Sequence, residues 1–287
     1  MNIIKNKKIW FSLSLIVIII GMILGMIRGY NLGIDFTGGT LIEIQMKEYI
    51  EATEIREITD GIDKNATINH IGETKDIIQI RTTENLNNEA RMELFGLFKE
   101  KYSLDESQPL RSEQFGPAMG KEIQNKALLS VIIATIGMLI YITFRFQLSY
   151  GISAILALTH DVLFVLAIYA IFRIPLNSPF VAAMLTVVGY SINDTIVVFD
   201  RIRENMKHAK KNAYEEVAEM SIKQTISRSI NTSLTTLLAI IALYIFGVES
   251  IREFTLPLLT GIMVGTYSSI FIASPIWVLI KGKKGNI

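Results

Sequence analysis

The 287-residue chain contains no cysteine, which excludes disulfides, thiol catalysis and thiolate metal sites. Its three histidines, His70, His160 and His208, are scattered and make no HExxH-like ligand spacing. No Gly-Lys-Ser/Thr loop is present. Gly38-Gly39 lacks both that ending and a strand-loop-helix setting, so ATP-driven chemistry within this chain is not expected. Charge is scarce, at 19% against about 25% in an ordinary soluble domain. The net charge of +1 points to no acidic partner. Residues 28–126 show no triad, paired acid and base or metal-ligand set and read as a binding or conformational module, and the chain is not expected to be an enzyme or to hold a cofactor.

What the chain has in quantity is apolar residues: 50% of the total, with a mean hydropathy of +0.39. Six runs are long enough to cross a bilayer, at roughly 20 residues each. They cover about 9–27, 127–146, 152–172, 180–200, 230–247 and 256–280. The first lacks a small-residue cleavage site and reads as an uncleaved anchor. Lys5, Lys7 and Lys8 flank it. Arg201, Arg203, Lys207, Lys210, Lys211 and Lys223 lie between spans four and five, and Lys281, Lys283 and Lys284 follow the last span. The opposite loops carry only Arg173 and Arg252. The positive-inside rule then puts both termini in the cytoplasm.

The loop 28–126 becomes an extracytoplasmic domain. Residues 40–46 alternate like a half-buried strand. Residues 51–62 place Ile55, Ile58 and Ile62 on one helical face. Residues 66–71 and 76–82 read as strands around a Gly72-Glu73 turn. A second helix, 86–101, carries Leu86, Leu94, Leu97 and Phe98, and a last strand near 111–115 ends at Gly116-Pro117. This β-α-β-β-α-β order is ferredoxin-like. The divisions are thus 1–27, cytoplasmic N-terminus and first span; 28–126, extracytoplasmic domain; 127–280, core of five spans; and 281–287, cytoplasmic tail. Within the core, basic 201–226 reads as an amphipathic helix on the cytoplasmic surface, aided by membrane lipid.

Asp194 is the most informative residue. A carboxylate within a spanning run is costly and is usually kept for a task. Thr186, Tyr190, Asn193, Asp194 and Val197 form one stripe on span four. Arg228, Asn231, Thr232 and Thr235 form another on span five. Thr159, His160 and Asp161 lie inside span three. At about 1.5 Å per residue, Asp161, Asp194 and Arg228 lie roughly 16, 21 and 28 Å below the outer surface. With arginine snorkelling, the three can form one cluster. Each has a plainer reading too. Asp194 can be a static partner of Arg228 that locks two helices. Arg228 can be an interface anchor, and His160-Asp161 can be a satisfied interhelical pair. Tyr190, Ser191 and Asn193 suit packing and hydrogen-bonding glue, and Gly261, Gly265, Ser268 and Ser269 suit close helix approach.

Four segments carry a resemblance. They are Gly33-Ile-Asp-Phe-Thr-Gly-Gly-Thr40, Phe115-Gly-Pro-Ala-Met-Gly-Lys-Glu122, the run from Gly189 to Asn205, and Ser227 to Thr236. Together they resemble the SecD/SecF family of bacterial protein-export membrane proteins, in its smaller member. The motif positions are Gly33, Asp35, Gly38, Gly39, Gly116, Pro117 and Gly120. The resemblance implies an α-helical core of the proton-driven RND class and a place in the bacterial cytoplasmic membrane. It implies a SecD partner, the SecYEG channel, and translocating unfolded chains as clients driven by the proton-motive force. It assigns proton coupling to Asp194, Arg228, Asp161 and His160, with Tyr190, Asn193 and Thr232 in support. Arg173 departs from the family's pattern. The alternatives are an RND-type exporter of small molecules and a passive assembly scaffold.

Overall fold

In the computed structural model, residues 2–284 are described apart from Asn65, Glu73, Lys211 and Val248. The expected turn at Gly72-Glu73 and the positive charge at Lys211 therefore lie partly or wholly outside the described residues. So do the side chains of Lys283 and Lys284.

Helix α1, Lys7–Arg28, is followed by the short α2, Ile34–Thr37. A small domain then runs β1 Gly39–Gln45, α3 Ala52–Thr59, β2 Thr67–Ile71, β3 Ile77–Thr82, α4 Asn88–Tyr102 and β4 Arg111–Phe115. Five long helical elements complete the chain: α5 Pro117–Arg145, α6 Leu148–Phe172, α7 Ser178–Met206, α8 Tyr214–Phe246 and α9 Glu249–Ser268. The last continues through a π-helical turn, Ser269–Ala273, into α10, Ser274–Lys284. Six of these helical spans are long and apolar enough to cross a membrane.

The four strands form one antiparallel sheet in the order β2-β3-β1-β4. Ile42, Ile44, Ile78 and Ile80 pack on Ile55 of α3 and on Leu94, Phe95 and Phe98 of α4. Two expectations change here. Strand β1 is buried along nearly its whole length rather than on alternate residues. It is a central strand, and its second face, with Leu41 and Glu43, looks into a cleft above the helices. On α4, Phe95 takes the core position expected of Leu97, which is exposed. Asn87 caps this helix, its Oδ1 accepting from Ala90 N at 2.8 Å, which sets the face that turns inward.

The expected surface helix over 201–226 is not formed as a separate element. Helix α7 runs on to Met206 and α8 begins at Tyr214, so only 207–213 connect them. The reason is packing. Ile202, Val217, Ala218 and Ile222 are buried in one core with Phe199, Tyr150 and Trp277. Polar bonds join the two helices as well: Arg201 Nε to Gln224 Oε1, 2.6 Å, and Asn205 Nδ2 to Ser221 Oγ, 2.8 Å. The apolar face of this segment is thus covered by protein rather than lipid.

Arg173 gains a structural role. It sits in a left-handed conformation (φ 56°) just after α6. Its guanidinium donates to the carbonyls of Arg28 and Gly29, both at 3.0 Å, and so caps the free end of α1.

Candidate functional site

Helix α7 carries Asp194 and is fixed firmly at its start. Asn177 Oδ1 accepts from Phe180 N at 3.0 Å, and Asp35 Oδ2 accepts from Ser178 N at 2.8 Å. Two otherwise orphaned helix donors are satisfied, by one neutral and one anionic cap. Further down, α9 lies tightly against α7. Gly261 abuts Val187 and Gly265 abuts Ser191, where any side chain on either glycine would overlap its neighbour.

Asp194 is 5% exposed, and its Oδ2 is buried with no hydrogen-bond partner. Ser229 and Arg228 of α8 are the groups whose dipole and charge reach it. Ser229 Oγ is itself buried and unpartnered, so the two oxygens face one another without a hydrogen bond of ordinary geometry. Arg228 makes no direct ion pair with Asp194 among the described residues and is exposed on the outer face of α8. The static locking pair anticipated as the plainer reading is therefore absent. What remains is a carboxylate in a largely apolar bundle with an unsatisfied acceptor, an arrangement that can take up a proton or cation.

Asp161 on α6 has the opposite setting. It is fully buried and bonded at both oxygens. Ser191 Oγ of α7 donates to Oδ2 at 2.6 Å, and His160 Nδ1 lies 3.0 Å from Oδ1. The imidazole stacks on Tyr267, with centroids 6.2 Å apart. Tyr267 in turn donates to Trp10 O at 2.9 Å and accepts from Ser14 Oγ at 3.2 Å. On the other side of Ser191, Thr195 Oγ1 and Ser269 Oγ lie 2.8 Å apart, at the start of the π-helical turn. Ser274 Oγ donates to Ser269 O across it at 3.1 Å. Four spans, α1, α6, α7 and α9, are stitched together here.

The three intramembrane charges thus do not converge on one point. Asp161 belongs to the α6–α7–α9 seam, and Asp194 looks toward α8. Tyr190 OH donates to Thr236 Oγ1 at 3.2 Å, which ties α7 to α8 one level above Asp194. Asn193, Asn231, Thr232 and Thr235 are exposed, so the polar stripe of α8 faces outward with Arg228. Ser191, expected to be hydrogen-bonding glue, takes that part here, whereas sequence reasoning missed Ser229, Thr195 and Tyr267. Single serines, threonines and tyrosines in apolar runs carry no periodic signal that separates a polar seam from ordinary packing. The π-helical turn had no sequence marker at all.

The glycine motifs cluster at the helix ends nearest the small domain. Gly33 N donates to Leu176 O at 2.6 Å. Gly38 and Gly39 have positive φ, 82° and 144°. Gly116 and Pro117 start α5, and Gly120 lies against the Phe36 backbone, where any side chain would clash.

Two family models match the chain. One, described as protein export membrane protein SecD/SecF, C-terminal, covers residues 98–283; the other, the SecD/SecF GG motif, covers 24–48. The chain is 39% identical over 270 residues to the protein translocase subunit SecF of Desulfurispirillum indicum, covering 92% of this chain and 86% of that one. It is 37% identical to the protein translocase subunit SecDF of Bacillus subtilis, covering 98% of this chain but 38% of that longer one. Among solved structures it matches a crystal structure of SecDF, a translocon-associated membrane protein from Thermus thermophilus. The TM-score is 0.85 at 36% identity, over 98% of this chain and 38% of that one.

Proposed function

The chain belongs to the SecD/SecF family of protein-export membrane proteins, and on that premise we propose that it couples proton entry at Asp194 to movement of its small domain during protein translocation. It is a multi-pass membrane subunit of the Sec export machinery. The observation that carries the coupling is the unpartnered Oδ2 of Asp194, 5% exposed, with an arginine of the next helix inside its electrostatic reach. Protonation removes the charge, weakens the attraction to Arg228 and lets α7 and α8 shift. One charge crossing about 100 mV is worth roughly 2.3 kcal/mol, comparable with the few kcal/mol that separate typical conformers. Asp161 and His160 act in this reading as a fixed pair that holds α6 to α7 while α8 moves. Tyr190 and Thr236 link the moving helices, and Asn193 and Thr232 lie on the face where water or a partner supplies their bonds.

The outward polar face of α8 supports a six-span partner, and SecD is that partner in this reading. Bare lipid cannot satisfy Arg228, Asn231 and Thr232, whereas Thr235 already donates to Thr232 O at 2.9 Å. We read residues 28–126 as an extracytoplasmic ferredoxin-like domain on an RND-like core at 127–280, with both termini in the cytoplasm. The β2-β3-β1-β4 order, with two helices on one face, supports that reading. The SecYEG channel and an unfolded chain emerging from it are the further partners.

The deciding assay is protein export into membrane vesicles with and without an imposed proton gradient. Asp194→Asn is expected to insert normally and to lose the gradient-stimulated component. Full stimulation in the variant would assign the chain a scaffold role instead.

A further inference from the structure

The small domain and the α1–α2 segment that leads into it touch the helices in two different ways. The first is a backbone clamp. Gly33 N and Leu176 N donate to Leu176 O and Asn31 O at 2.6 and 2.8 Å, Gln124 Nε2 donates to Phe36 O at 2.8 Å, and Asp35 caps α7. Phe36 is buried among Val165, Tyr169 and Phe180. This clamp is extensive, apolar at its centre and built to last.

The second is a single ion pair. Arg81 on β3 points away from the domain's own core and meets Glu253 on α9, Nη1 to Oε1 at 2.5 Å. Both side chains are largely buried, at 18% and 14% exposed. Two cavities, of about 620 and 570 Å³, open between sheet and helices, and both are lined by this same pair. The ion pair therefore stands as a strut across a cleft with water-sized space on either side. Arg81 Nε is buried without a partner. The closed strut leaves a donor unsatisfied, and opening it would hydrate both charges.

Between clamp and strut lies Gly38-Gly39, joining α2 to β1. Both residues have positive φ, and a side chain on Gly39 would overlap Thr82 O. A paired-glycine joint at an element boundary suits a hinge. Glu253 belongs to α9, which is seated glycine-to-side-chain on α7, the helix of Asp194.

We infer that Arg81 and Glu253 are positioning residues: a releasable strut that sets the tilt of the small domain about the Gly38-Gly39 hinge. The clamp stays closed while the strut opens and shuts, so a shift of the α7–α9 pair is read out as a tilt of the sheet. The link from strut to export rests on the coupling proposed above, but the tilt itself is measurable without it.

Because the chain has no native cysteine, spin labels can be placed at introduced cysteines alone. Labels at Ser112→Cys on β4 and Ile251→Cys on α9, both exposed positions, report the separation of sheet and helix in the full chain in lipid nanodiscs. Arg81→Glu and Glu253→Arg are each expected to shift the distribution to longer separations. The double swap, Arg81→Glu with Glu253→Arg, should restore the original distribution, which mere damage to packing would not allow. One unchanged distribution in all four proteins would overturn the strut, as would a swap no better than either single variant. In the vesicle assay the single variants should lose most gradient stimulation and the swap regain it. Asp194→Asn run alongside separates the two ideas. If it abolishes stimulation while the distances never move, the strut alone fails. If it keeps stimulation while the distances move as expected, the proton coupling alone fails.

Discussion

Asp161 and Asp194 are carboxylates on adjacent helices, both buried inside the bundle, and their surroundings could hardly differ more. Asp161 sits in the seam of α6, α7 and α9 with both oxygens bonded, to Ser191 and His160. Asp194 faces α8, a helix whose neighbouring residues point outward, and one of its oxygens has no partner. A satisfied carboxylate fixes helices, because removing it strands its partners. An unsatisfied one stores a preference for changing its charge or its neighbours. Burial alone therefore does not mark a working acid; the state of its hydrogen bonds does.

The sharpest way to break this contrast is to neutralise each acid in turn. Asp194→Asn should abolish gradient-stimulated export. Losing about 2.3 kcal/mol of bias at 100 mV corresponds to roughly a fifty-fold change in a two-state population. Asp194→Glu should keep part of the response, since a titrating group survives. If Asp161→Asn proves equally silent while folded, the two sites are not different in kind.

Next in size is Arg228. Arg228→Gln should change the pH dependence of export and reduce gradient stimulation by less than Asp194→Asn does. Lysine should rescue in part, as a point charge without the planar fork. Infrared titration of the carboxyl band checks the link directly. A titration identical to that of the unaltered protein would mean that Arg228 only anchors α8 at the interface.

Stability should rank the acids in the opposite order. Asp161→Ala leaves Ser191 Oγ and His160 Nδ1 without their partner, at about 1–3 kcal/mol for each buried unsatisfied group. Asp194→Ala removes a group that already lacks a bond. Thermal unfolding in detergent should therefore show the larger fall in Tm for Asp161→Ala. The reverse ranking would count against the seam as a fixed structure.

The smallest effect is expected where charge meets water. On the small domain, Lys101 Nζ lies 2.8 Å from Glu57 Oε2, and its hydrogen bond and charge hold the Glu57 carboxyl below its usual range. A lowered carboxylate contributes stability above its unfolded pKa and loses it as pH falls through the folded value. Lys101→Met should accordingly remove only a slight acid-side decline in Tm and change nothing at neutral pH beyond the small effect of an exposed pair. A large neutral-pH loss would show that surface pairs here carry more weight than the buried seam.

The apolar runs were legible because the bilayer demands about 20 such residues with little charge, and all six became helices long and apolar enough to cross one. The strands and helices of the small domain were legible from period two and period 3.6, with slips where a cap or a central strand changed which face is buried. Asp194 stood out by composition alone, since few residues are so out of place in such a run. Tertiary structure decided the rest. Hydrophobic pattern cannot say which of two buried acids finds its partners, because those partners, Ser191 and Ser229, come from other helices. Nor can it foresee the π-helical turn, or Arg173 folding back onto α1. Sequence determined that this chain spans a membrane and carries charge inside it. Only the packing of the six helices against one another determined which charge is bound fast and which is free to act.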